Sequence, residues 1–150
     1  MKIAEILAAE SVCADLNARG KVEVLKELIQ LVAQAHRSIN REEYLTILME
    51  RERLGSTGVG DGVAIPHGKV RGGNQVIAAF GRSKTGVDFD AIDDKKSHLF
   101  LLLMAPDNSA GLHLKALAKV SRMLKRAETR QALMETADAD EIYRILTSED

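Results

Sequence analysis

Tryptophan is absent from this 150-residue chain, and aromatic residues make up 3% of it. Stacking platforms for nucleobases are therefore scarce. An excess of charge of either sign is also missing: 21 Lys+Arg face 22 Asp+Glu, for a net charge of -1. That balance excludes a strongly basic nucleic-acid binder as the default reading, and equally an acidic solvating tail. Cys13 is the sole cysteine, so no internal disulfide can form, which fits a reducing cytoplasm. The longest apolar run, Leu99 to Ala105, is far short of the roughly 20 residues a membrane span needs. The opening segment carries Glu5 inside its short apolar stretch and no small-residue cleavage site, so it does not read as a secretory signal. None of the four histidines stands in a His-x-His or His-x3-His pattern, and no zinc site is expected. The expectation is a soluble cytoplasmic protein with no cofactor, no metal, no membrane span and no nucleic-acid partner. Its length and its 45% hydrophobic and 29% charged residues fit one globular domain over 1–150.

Residues 20 to 53 predict two helices. Val22, Leu25, Leu28, Ile29 and Val32 fall on one stripe, as in a helix covering a core. Asn40 then caps a second helix through Tyr44, Ile47 and Leu48. Strands are expected at Ser11–Leu16, Val63–Ile65, Gln75–Arg82 and Ser97–Met104, with Thr85–Asp90 as a turn. The last of these strands is continuously apolar and should be covered on both faces. After Gly111 the chain turns helical. One helix carries Leu114, Leu117, Ala118, Val120 and Met123, a short one spans Arg126 to Met134, and the last holds Ile142, Tyr143, Ile145 and Leu146. Asp138 with Glu141 resembles a capping box. The whole reads as α/β, with helices at both ends of the chain.

Seven of the eleven glycines lie between Gly55 and Gly73. The segment is not a Walker loop, and it misses the Rossmann fingerprint because its third glycine falls at 62 rather than 63. Two readings stay open from composition: a plain turn, or a concave array of N–H groups that holds an anion. His67, between Pro66 and Gly68, has Lys69 and Arg71 beside it and the hydroxyls of Ser56 and Thr57 upstream. A lone histidine is usually structural, yet a neutral imidazole is also a nucleophile toward phosphorus. His113 falls in the first turn of a helix, where the N-terminal dipole disfavours imidazolium; taken singly it reads as a capping side chain. Arg51 reads as a solvated charge, His36 and His98 as structural. Arg122, Lys125, Arg126 and Arg130 form a local basic face, read as a solvated helix surface or a protein-docking patch.

The fifteen residues Gly55-Ser-Thr-Gly-Val-Gly-Asp-Gly-Val-Ala-Ile-Pro-His-Gly-Lys69 resemble the active-site signature of the IIA domains of the bacterial phosphotransferase system, mannitol/fructose class. Within that class the resemblance is closest to the nitrogen-regulatory members. It continues through Arg51-Glu52, Val87-Asp-Phe-Asp-Ala-Ile-Asp93 and Gly111-Leu-His-Leu-Lys-Ala-Leu-Ala-Lys-Val-Ser-Arg122. It implies a single-domain α/β sandwich with a mixed β-sheet flanked by helices. It also implies that His67 accepts a phosphoryl group, at its tele nitrogen, from an HPr-like carrier protein. His113 would then stabilise the phosphoryl oxygens and Arg51 would offset their charge, while Ser56, Thr57, Gly58 and Gly60 form the phosphate loop. No metal is needed for such a transfer, which rests on positioning and charge stabilisation. Three functions follow in order of preference. The first is a regulatory phosphocarrier that acts on target proteins according to its phosphorylation state. The second is a sugar-transport IIA passing phosphate to a IIB domain, and the third a binding module that has lost the chemistry.

Overall fold

The computed structural model describes residues 1–148 and 150. In chain order the elements are α1 (Ile3–Ile6), β1 (Leu7–Cys13), α2 (Lys21–Ala35), α3 (Arg41–Arg53), β2 (Gly58–Gly60), β3 (Val63–Ala64), β4 (His67–Val70), β5 (Ile77–Val87), β6 (Ser97–Pro106), α4 (Ala110–Lys125), α5 (Ala127–Glu135) and α6 (Ala139–Thr147). Among the described residues the six strands form one mixed sheet, ordered β1-β5-β6-β3-β2, with β4 also on β6. β6 runs antiparallel to β5 and parallel to both β3 and β4.

Successive side chains of a strand face opposite ways, and both faces of β6 are apolar. Leu99, Leu101, Leu103 and Ala105 enter a core shared with α1, α4, α5 and α6. Phe100, Leu102 and Met104 enter a second core beneath α2 and α3. The mixed sheet flanked by helices is thus as expected, and the uninterrupted apolar run is the doubly covered strand. Each fully buried Leu or Phe side chain contributes about 1.5–3 kcal/mol relative to an exposed one, so β6 is the centre of stability.

The two N-terminal helices form where their stripes predict. α2 buries Val24, Leu25, Leu28, Ile29, Val32 and Ala33, whereas Val22 is half-buried. α3 starts at Asn40, whose side chain accepts from the Glu43 N–H at 3.0 Å. Glu42 and Glu43 in its first turn and Arg51 and Arg53 in its last complement the helix dipole. α6 is capped by Asp138, which accepts from the Glu141 N–H at 2.9 Å.

Four details differ from expectation. β1 occupies Leu7–Cys13 rather than Ser11–Leu16, because a register shift between Leu7 and Val12 breaks the period-two pattern. β5 continues to Val87 through the segment read as a turn; Gly86 takes φ +85°, and the pairing with β6 shifts register between Arg82 and Val87. β4 was hidden among glycines: β3 and β4 lie end to end along one edge of β6, interrupted at Pro66. Proline has no N–H to donate, but its carbonyl accepts from Leu103 at 3.0 Å. Finally, α4 turns His113, Ala116, Val120, Met123 and Leu124 inward, leaving Leu114 66% exposed and Ala118 exposed. In the basic face, Arg130 serves the end of α4, donating to the Leu124 and Lys125 carbonyls at 3.1 and 2.6 Å.

Candidate functional site

Three elements end at one cleft of about 690 Å³, where the last turn of α3, the start of β4 and the first turn of α4 meet. It is lined by Arg51, Leu54, His67, Lys69, His113 and Leu114, among others. His67 opens β4, in register with Leu103 of the central strand. Gly68 follows because a Cβ there would run into the Ile47 side chain of α3, so the glycine lets that helix lie close. His113 is 7% exposed, and its ring centroid lies 5.5 Å from that of His67, with the planes at 53°. Arg51 is half-buried and donates from Nη1 to the Gly55 carbonyl at 2.9 Å.

Nδ1 of His67 lies 2.7 Å from the Ile65 carbonyl oxygen. A carbonyl can only accept, so Nδ1 carries the proton, and in the neutral ring Nε2 holds the lone pair. Burial holds the His67 imidazole below its ordinary pKa. The Ile65 bond opposes that shift, the Arg51 charge adds to it and the Glu52 charge opposes it. His113 is lowered as well, again by burial first and then by His67 and Lys69. Both rings are therefore neutral at pH 7.

A histidine held below its unfolded value binds protons more readily in the unfolded chain. The stability it confers is complete above the unfolded value of about 6.5 and is lost as pH falls through the folded one. The denaturant midpoint of the wild type should decline below about pH 6.5, and the His67→Gln/His113→Gln double variant should decline less steeply. Identical slopes for the two proteins would contradict this account.

The sequence-predicted residues divide into two groups. Arg51, His67 and His113 come together at the cleft, whereas Ser56, Thr57, Gly58 and Gly60 are not among the residues that line it. The Ser56 hydroxyl donates to the Phe89 carbonyl at 2.7 Å and accepts from the Gly58 N–H at 3.0 Å. Thr57 is 3% exposed, and both its N–H and its hydroxyl donate to Glu52. Gly58 and Gly60 form β2 and pair with β3. His98 donates from Nδ1 to the Ser83 carbonyl at 2.9 Å, and His36 closes α2. Glu52 received no role from the sequence. It lies in a run of alternating charges that reads as a wet helix end, yet it is 8% exposed. Among the described residues no group of three or more His, Cys, Asp or Glu side chains could hold a metal ion, and no helix is long and apolar enough to cross a membrane.

The fold class is that of phosphotransferase-system IIA domains. The solved structure of the nitrogen regulatory protein IIA-Ntr from Neisseria meningitidis matches with a TM-score of 0.89 at 36% identity, over 97% of this chain and 99% of that one. Residues 5–149 match the family described as phosphoenolpyruvate-dependent sugar phosphotransferase system, EIIA 2, and the chain belongs to that family. Its relatives fall on both sides of a functional divide. A nitrogen regulatory protein of Bradyrhizobium diazoefficiens is 35% identical over 146 residues, covering 97% of this chain and 95% of the relative. The fructose-specific EIIABC component of Bacillus subtilis is 34% identical over all 150 residues, but this chain spans 24% of that larger protein.

Proposed function

We propose that residues 1–150 are one cytoplasmic phosphocarrier domain, which takes a phosphoryl group onto Nε2 of His67 from a phosphohistidine on an HPr-like protein. In this reading its phosphorylation state then selects among regulatory target proteins. The observation that carries it is the 2.7 Å contact between His67 Nδ1 and the Ile65 carbonyl, which leaves the lone pair of the neutral ring on Nε2 in a residue that lines the cleft. As Nε2 attacks, a new N–P bond forms, the donor's N–P bond breaks and its electron pair returns to the donor imidazole. The ring of His67 becomes positively charged, and its Nδ1–H stays on the Ile65 carbonyl, which stabilises that charge.

Arg51 and His113 are assigned to the phosphoryl oxygens, one as a fixed cation and the other as a neutral donor. Transfer places a phosphoryl group of about -1.5 to -2 charges, offset in part by the cationic ring, in a cleft edged by Arg51 and Lys69, enough to change which partner fits. Leu54 and Leu114, 86% and 66% exposed, flank the cleft. Large apolar side chains left in water around charged groups support docking of a carrier protein there.

A second reading, a IIA domain that hands its phosphate to a sugar-specific IIB domain, is supported by the match of all 150 residues to 24% of the Bacillus subtilis fructose component. One experiment addresses both. The protein is mixed with phosphoenolpyruvate, enzyme I and an HPr-like carrier of the nitrogen or the sugar branch, and uptake is followed by intact mass. The expected result is one acid-labile phosphate, with uptake slowed about 10²-fold in Arg51→Ala and in His113→Ala. Onward transfer to a fructose- or mannitol-type IIB domain as fast as the uptake itself would establish the transport reading instead. No uptake from either carrier would leave a binding module in this fold.

A further inference from the structure

Glu52 lies in the last turn of α3 with its carboxylate out of solvent, the side chain 4% exposed. Oε1 accepts from Lys21 Nζ at 2.9 Å and from the Thr57 N–H at 3.1 Å, and Oε2 accepts from the Thr57 hydroxyl. A buried carboxylate persists only where it is paired and hydrogen-bonded, and none of these partners belongs to its own helix. The bonding continues toward the cleft. The Thr57 carbonyl accepts from the Ile65 N–H at 3.0 Å, and the Ile65 carbonyl takes the Nδ1 proton of His67. A chain of hydrogen-bonded residues thus runs from Glu52 to the proton that decides which imidazole nitrogen is free. Arg51, one residue earlier, occupies the same helical turn and reaches the cleft. Lys21 is itself fixed, 4.8 Å from the centroid of the Phe89 ring and 3.5 Å from Asp90.

We infer that Glu52, with Lys21 as its counter-ion, is a positioning residue for phosphoryl uptake: it sets Arg51 and His67 relative to each other and keeps His67 in the Nδ1–H tautomer. This rests on the reading of His67 as the acceptor. The charged and titratable groups facing His67 are Arg51 and Glu52 on α3, Lys69 on β4 and His113 on α4, with Glu50 and Arg53 at the edge of the cleft. Replacing Glu52 with glutamine removes a negative charge beside the site and leaves Lys21 with the exposed Asp90 carboxylate as its counter-ion, which disfavours imidazolium. Replacing Lys21 with methionine leaves the Glu52 charge uncompensated, which favours it.

The test pairs two measurements on the full chain. One is single-turnover uptake from the phosphorylated carrier; the other is nitrogen NMR of the His67 ring across pH. In Glu52→Gln, uptake should fall about 10- to 100-fold, the Nδ1–H signature should give way to a tautomer mixture and the titration midpoint should move down. In Lys21→Met the midpoint should move up. Thr57→Val, which keeps the N–H and loses the hydroxyl, should fall between wild type and Glu52→Gln and serves where that variant does not fold. Uptake within about twofold of wild type, with the His67 tautomer and midpoint unmoved, overturns the inference. So does a loss of stability with no change at His67. A wild type that takes up no phosphate sinks the acceptor reading instead, and the NMR arm still decides whether Glu52 sets the tautomer.

Discussion

His67→Ala is expected to gain no phosphate from the carrier that loads the wild type, a rate loss of more than about 10³. The expectation follows from what the ring does in the fold. His67 is half-buried, and the hydrogen bond its side chain makes is to the Ile65 carbonyl. Removing the ring therefore leaves β4 paired to β6 through its backbone, and the variant should remain folded. What disappears is the proposed nucleophile. His113 stands 5.5 Å away on the same cleft, but it is 7% exposed, less open to an incoming carrier than the half-buried His67. Phosphate found on His113 in the His67→Ala protein would move the acceptor to the helix and reverse the two roles. Phosphate found at Nδ1 of His67 in the wild type would show that the Ile65 contact breaks before transfer, removing the observation on which the proposed chemistry stands. Phosphorus NMR of the loaded protein separates the two nitrogens.

How far the sequence announces this arrangement depends on whether the deciding force is local. Helix starts at Asn40 and Asp138 are legible because the cap is made by a side chain three residues from its donor. The central strand is legible because seven consecutive apolar residues leave it no solvent face. His67 was marked by Pro66 and the glycines around it, and with His113 and Arg51 it gained roles through resemblance rather than through spacing. Glu52 was not legible. Its partners are Thr57, five residues on, and Lys21, thirty-one residues back, and nothing in a run of alternating charges says which one turns inward. The inward face of α4 is hidden for a related reason: a helical stripe of apolar residues does not reveal that His113 takes the inward position beside the exposed Leu114. Ser56 and Thr57 were matched to the phosphate loop on their hydroxyls. Where those hydroxyls point is set by Phe89 and Glu52, contacts that no local pattern contains.

The largest effect on stability is expected at a residue outside the cleft. Arg82 is 0% exposed, in the middle of β5. Nε donates to the Ala14 carbonyl at 2.9 Å; Nη1 donates to the Leu133 carbonyl at 2.9 Å and to the Thr136 carbonyl. Leu133 and Thr136 lie at the end of α5, where helix carbonyls lack partners of their own. One guanidinium therefore ties the sheet to the loop after β1 and closes that helix. Its counter-charge is weak: Asp15 is 3.9 Å from Nη2 and its side chain 69% exposed, and Nη2 has no hydrogen-bond partner among the described residues. Arg82 is thus held by carbonyl dipoles rather than by an ion pair. Truncation to alanine strands three carbonyls and opens a cavity, costing about 3–5 kcal/mol, a large share of the roughly 5–15 kcal/mol typical of a domain. Arg82→Met keeps most of the volume and relieves the cation of its buried environment, but it restores none of the bonds; it should fall between alanine and wild type. Arg82→Lys keeps the charge without the planar fork, so it can serve one of the two directions and not both. The check is the denaturant midpoint at unchanged slope, with phosphate uptake per folded molecule expected to stay at the wild-type rate. If alanine cost less than about 1 kcal/mol, water would have to satisfy the ends of α5 as well as the arginine does, and the burial of this cation would lose its structural explanation.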